Sequence, residues 1–318
     1  MPSLFHLSLA LLLTLPALAG GPKPWPQKFQ APAAKVITTE APEGVAFAYE
    51  TASFRLHSDK AIDPARLAKF ATVIESVPLL LQAFPLPLWA PPKGEKPRII
   101  LYSDSLDYHA GGGPHGSMGY YDGRRQRILI RADIFLNPPP SQPTRLLPKP
   151  NEDLLVHELT HLCMHELLWR TSPWFFEGLA EYMAAAHTAG GAYDFTRIDS
   201  AIRDHVRRNL PPNENHLILL PPLQNILTTT SAQRIEGNNR AEGHAIYRPY
   251  AASLLLIHYH LHGTERRKAI DTYLQTALAH RDPRRPRPVL DVGSTIDIQS
   301  RLTKFWEPKG LPLHFQKK

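Results

Sequence analysis

The chain is predicted to be an α+β protein with an N-terminal α/β sheet lobe, a C-terminal helical lobe and an active-site helix between them. Three observations lead there. Short apolar or alternating runs, the pattern of strands, concentrate before residue 138. After residue 150 apolar residues recur at the three- and four-residue spacing of helices. Between the two, Pro138 to Pro150 is a Pro-rich connector and the expected lobe boundary.

Residues 1–19 read as an export signal: Leu7 to Leu15 is a short apolar run, and Ala17-Leu18-Ala19 forms a small-residue cleavage site before Gly20. No Cys follows to carry a lipid, and no later stretch is apolar for long enough to cross a membrane. The expected product is an exported chain, periplasmic or extracellular, without a transmembrane anchor. Residues 20–45 read as an extended leader, Pro- and Gly-rich at its start.

Residues 46–137 carry the sheet. Ala46 to His57 alternates as a strand, Asp63-Pro64 opens an amphipathic helix to about Phe84, and Pro97 to Tyr102 reads as a buried strand. Gly111-Gly112-Gly113 lacks a following Gly-Lys-Ser/Thr, so it reads as a loop and not as a phosphate cradle. Met118 to Tyr121, the turn Asp122-Gly123, and Gln126 to Ala132 make a hairpin.

Residues 151–318 are mostly helical and begin with the chemistry. Asn151 is a good N-cap, with Glu152 and Asp153 in the first turn, where the helix dipole favours anions. On that helix stands His157-Glu158-Leu159-Thr160-His161. Histidines four apart share one helix face, so both imidazoles reach one metal at the roughly 2.0–2.1 Å zinc prefers. Glu158 follows on the adjacent face, placed to act on water as a general base. Thr171-Ser172-Pro173 starts a second helix on which Glu177 and Glu181 also share a face. Its spacing allows either carboxylate to be the third ligand. His165 continues the histidine series, but a helix rises about 6 Å in four residues, too far for one tetrahedral ion to collect all three. Cys163 points to the other side of the helix and reads as a small buried residue.

On these residues the chain resembles the gluzincin metallopeptidases, and within them the exported bacterial peptidase MA-like group. There the second helix reads as Trp, two residues, then Glu-Gly-x-Ala-Glu-Tyr, as Trp174 to Tyr182 does. The likeness extends loosely from Phe54 to the C-terminus. It implies a two-lobed zincin with one zinc per chain in the cleft, held by His157, His161 and Glu177. Glu181, four residues on, is then placed to accept a hydrogen bond from a ligand imidazole. The resemblance also implies an edge strand beside the zinc that pairs with extended substrate, for which Gly119, Tyr120 and Tyr121 are the candidates. A tyrosine just before a long helix serves the family as oxyanion donor; Tyr247 fits that place, with Tyr250 as the alternative. The activity implied is hydrolysis of a peptide or protein substrate.

Composition bounds the rest. One Cys in 318 residues rules out an intramolecular disulfide framework, so stability comes from a core. The net charge of +7 is spread over Arg124-Arg125-Arg127, Arg266-Arg267-Lys268 and Arg281 to Arg287, with no nucleic-acid motif among them. These are expected to be solvated surface, and the chain a monomer. From Tyr247 to His262 a helix is expected, round which His258, His260 and His262 scatter without making a metal site. Helices are also expected at Asp194 to Asn209, Thr264 to Ala279 and Thr295 to Trp306. The rival function is an exported zinc protein that binds peptide or envelope material without cleaving it. Such a protein need not retain Glu158.

Overall fold

The computed structural model describes residues 23–136, 149–210, 217–230, 233, 246–282 and 287–316, with only the backbone of 149–151. The export signal and residues 138–148 of the connector lie outside the described residues.

The fold is α+β. Six strands form the main sheet: β2 (Ile37–Thr39), β3 (Phe47–Glu50), β4 (Arg55–Ser58), β5 (Arg98–Tyr102), β6 (Gly119–Asp122) and β7 (Arg127–Arg131), in the order β2-β3-β4-β5-β7-β6. β4, β5 and β7 run parallel, β2 and β3 add antiparallel on one side, and β6 ends the other side antiparallel to β7. The hairpin predicted at Met118 to Ala132 is β6–β7. Its turn residue Gln126 takes φ 52°.

Two expectations in this region are corrected. Ala46 to His57 is a hairpin and not one strand. A backbone bond from Thr51 N–H to Phe54 O, at 2.9 Å, turns the chain. Glu75 fixes that turn by accepting from Ser53 N–H and Ser53 Oγ, both at 2.7 Å. The leader is also structured. It supplies β2 to the sheet, and β1 (Lys28–Gln30) pairs with β9 (Ala192–Asp194), which pairs with β8 (His187–Ala189). Strands of three residues leave little periodicity to read, and β1 finds its partner more than 150 residues away.

The helix after β4 is α1 (Pro64–Ala83), capped as predicted: the Asp63 carboxylate accepts from Arg66 N–H at 3.0 Å and Pro64 opens the first turn. Short α2 (Ser105–Ala110) and α3 (Ala132–Phe135) flank the hairpin. Then α4 (Lys149–Cys163) packs against α1, β6 and β7. It begins at Lys149, so Asn151 lies inside the first turn and is not the N-cap.

Helices dominate beyond: α5 (His165–Leu168), α6 (Pro173–Ala186), α7 (Ile198–Asn209), α8 (Leu223–Thr228), α9 (Arg248–Leu261), α10 (Thr264–Ala279) and α11 (Thr295–Trp306). β10 (Ile218–Leu220) runs parallel to β11 (Leu313–Phe315). On α9, His258 and His262 share a face with rings stacked 4.1 Å apart, while buried His260 lies against Trp174. Cys163 is buried, as expected. The apolar core is one continuous cluster that joins the sheet to the helices, with Leu155, Val156, Leu159 and Leu162 of α4 inside it. Among the described residues no helix is long and apolar enough to cross a membrane.

Candidate metal centre

α4 and α6 cross so that each presents a four-residue pair to the other. His157 and His161 stand on α4, Glu177 and Glu181 on α6, and all four are buried. Why the helices meet this closely is visible at Gly178. A Cβ there would lie 2.7 Å from Ile257 Cγ1 of α9, so α6 is wedged between α4 and α9 with no room for a larger residue.

Three side chains converge on one point. His157 Nε2 and His161 Nε2 are 3.0 Å apart, and Glu177 Oε2 lies 3.3 Å and 3.2 Å from them. A tetrahedral ion with bonds of about 2.0–2.1 Å sets its ligand atoms roughly 3.3–3.4 Å apart, so the spacing fits. Two imidazole nitrogens facing each other at this distance cannot both carry hydrogen, and lone pairs aimed at a shared point are what a cation takes. This group could hold a metal ion, and the N, N, O donor set is one that zinc accepts. Both His165 and Cys163 stand outside it. His165 Nδ1 instead shares a hydrogen bond with the Tyr121 hydroxyl at 2.5 Å, and burial holds the Tyr121 pKa well above the phenol value.

Glu181 holds the first ligand from behind. Its Oε1 is 3.1 Å from His157 Nδ1, which directs Nε2 to the centre. Its Oε2 lies 2.6 Å from His205 Nε2 and 2.9 Å from the Tyr247 hydroxyl, which donates to it. Burial disfavours the Glu181 anion, but hydrogen bonds from His157 and His205 outweigh it and hold the carboxyl well below its ordinary pKa. Tyr247 is pushed far above the phenol value, first by desolvation and then by the Glu181 charge, so it remains a donor.

Glu158 is placed by the sheet. Its Oε2 accepts the Tyr121 backbone N–H at 2.9 Å, and burial raises its pKa against the pull of His157 and His161. In the β6–β7 ladder, Met118 O bonds inward to Arg131 N–H, so Gly119 and Tyr121 turn their backbone groups to the open edge. Gly119, Tyr120 and Tyr121 thus form the edge strand beside Glu158, and Gly119 packs against its stem.

The two tyrosines part company. The hydroxyl hydrogen of Tyr247 goes to Glu181, behind the ligand set, and not toward open space at the centre. The Tyr250 ring lies 6.2 Å from that of His157 and stacks on Tyr247. Both line a cavity of about 540 Å³ that also opens onto His157 and Glu158. His205, Asp153 and Arg208 line it too; the sequence marked Asp153 only as a first-turn acid and gave His205 and Arg208 no role. Asp153 had a signal, standing four residues before His157 on the same helix face. His205 and Arg208 had none, because only packing brings α7 to α6.

No protein-family model matches the chain, and no curated protein matches it. What the cluster can do follows from its donors: it can bind a metal ion beside a carboxylate base at the wall of a cavity.

Proposed function

We propose that the chain is an exported, zinc-dependent peptidase that hydrolyses peptide bonds with Glu158 as general base. One observation carries the reading. The three ligand atoms lie 3.0 to 3.3 Å apart, and the Glu158 carboxylate beside them is held by the edge strand at the mouth of a cavity. The sequence resemblance to gluzincin metallopeptidases supports the same chemistry.

His157, His161 and Glu177 would hold the zinc ion, which when bound would supply Lewis-acid chemistry toward water and a carbonyl. The rest is work for side chains. Tyr121 N–H holds Glu158 Oε2, which leaves Oε1 to take the proton from water and return it to the departing amine. Glu181, with His205 and Tyr247 behind it, orients His157. We assign the oxyanion donor to Tyr250, whose ring lies 6.2 Å from that of His157, because the Tyr247 hydroxyl is engaged with Glu181. An extended peptide adds along β6 at Gly119.

The test is Glu158→Gln in the zinc-loaded protein. The variant should retain one zinc per chain and lose peptide hydrolysis. Wild-type protein that binds zinc yet cleaves nothing in a diverse peptide library would instead favour a peptide-binding role. A fully active variant would remove Glu158 from the mechanism.

A further inference from the structure

Arg208 is the only Lys or Arg among the described residues lining the cavity beside the metal cluster. It is not a loose surface arginine. Its Nη1 lies 3.0 Å from Asp153 Oδ2, while Asp153 Oδ1 lies 3.2 Å from Nδ1 of the fully enclosed His187. Asp153 itself is 3% exposed, whereas the Arg208 side chain is 37% exposed. A buried carboxylate, gripped from behind by a buried histidine, therefore fixes a guanidinium that still faces the cavity. Such pairs add little to stability, because removing the carboxylate from water is costly. A guanidinium has five N–H donors, and one carboxylate oxygen leaves most of them for a ligand.

We infer that Arg208 binds a carboxylate of the substrate, so that the site selects peptides presenting a carboxylate close to the scissile bond. The inference rests on the hydrolytic reading above. Asp153, Glu158 and Glu181 on the cavity wall are acids, so away from the metal cluster Arg208 is the one fixed positive charge among the described lining residues. That selects one docking position. Asp153 stands four residues before His157 on α4, a rise of about 6 Å along the helix axis. An extended peptide covers about 3.3–3.6 Å per residue. A carboxylate docked on Arg208 thus lies one to two residues from the bond over the metal cluster. Two sources share this chemistry: the free C-terminus of a peptide, or an acidic side chain one or two residues beyond the cut.

Three matched peptides distinguish them: one with a free C-terminus, its C-terminal amide, and the amide with a Glu in the second position after the cut. Wild-type protein loaded with zinc should cleave the free acid with kcat/KM roughly 10- to 100-fold above the plain amide, the range for hydrogen bonds to a charged group. It should release one or two residues. Arg208→Gln should bring that ratio near one, chiefly through KM on the acid, with the plain amide little changed. Arg208→Lys, which retains the charge but not the fork, should fall between. If the Glu-bearing amide matches the free acid, the carboxylate comes from a side chain and the inference stands. Equal cleavage of acid and amide by wild type, an unchanged ratio in Arg208→Gln, or an equal fall on all three peptides would overturn it. Failure of the hydrolytic reading looks different, because no peptide is cut. Calorimetric binding of the same three peptides to zinc-loaded protein then decides: a preference for the carboxylate lost in Arg208→Gln supports the inference, and no preference refutes it.

Discussion

Replacing Gly178 by Ala should damage both the fold and the metal centre, although alanine is the better helix former. Gly178 sits inside α6, where the exchange would gain about 1 kcal/mol from propensity alone. Against this, the new Cβ would stand 2.7 Å from Ile257 Cγ1 and 2.7 Å from the Ser253 carbonyl carbon, and closer still to its oxygen. Carbon atoms in contact settle at about 3.5–4.0 Å, so α6 and α9 must separate by roughly 1 Å. Backbone atoms cannot rotate aside as a flexible side chain would. Overpacking of this kind costs about 1–3 kcal/mol, and here the upper part of that range applies. The net expectation is a loss of about 1–2 kcal/mol. The same displacement carries Glu177 and Glu181, which flank Gly178 on α6. Metal sites tolerate shifts of about 0.2 Å, so zinc affinity should drop at least about tenfold. Urea denaturation of the metal-free protein measures the packing loss, and chelator competition measures the affinity. Gly119→Ala is the control for stability, since its Cβ would meet neighbours only at 3.9 Å. A Gly178→Ala protein as stable as wild type with undiminished zinc affinity would refute so close an approach of α6 and α9.

Three further outcomes are expected. Glu177→Gln should nearly abolish zinc binding, while Glu181→Gln should weaken it by about 10–100-fold, as loss of a hydrogen-bond partner behind a ligand does; equal effects in a chelator titration would overturn the assignment of roles. Tyr250→Phe should lower turnover by about 10²–10³ with zinc content unchanged, whereas Tyr247→Phe should act mainly through zinc affinity, by releasing its bond to Glu181; steady-state kinetics and metal analysis on both variants separate the two roles. Buried His260 has its pKa lowered from 6.5 to about 4 by desolvation, so the fold favours its neutral form. Its contribution is complete above pH 6.5 and disappears as pH falls from 6.5 toward 4, a loss of about 3 kcal/mol. Denaturation curves at pH 7 and pH 4.5 should therefore converge in His260→Leu relative to wild type.

Much of this protein was legible in the chain itself, because its strongest signals are local. The i, i+4 spacing of His157 with His161 and of Glu177 with Glu181 already sets each pair on one helix face, and nothing distant can alter that. Asp63 announces one helix start through cap chemistry confined to one turn, and Pro173 announces another by opening the first turn of α6. The helices Thr264–Ala279 and Thr295–Trp306 are long enough for their period to show. What the chain could not display was which faces meet. Spacing alone allowed Glu177 or Glu181 to point at the centre, and only the crossing of α6 over α4 puts Glu177 Oε2 within 3.3 Å of both ligand imidazoles while turning Glu181 to His157 Nδ1. His205 and Arg208 gain their places from the packing of α7, and Tyr121 N–H reaches Glu158 because β6 ends the sheet beside α4. The three-residue strand β1 likewise exists through a partner far along the chain. Local periodicity and capping determine elements and the faces they offer. Long-range packing, which depends on the shape of many side chains at once, decides which of those faces become a site.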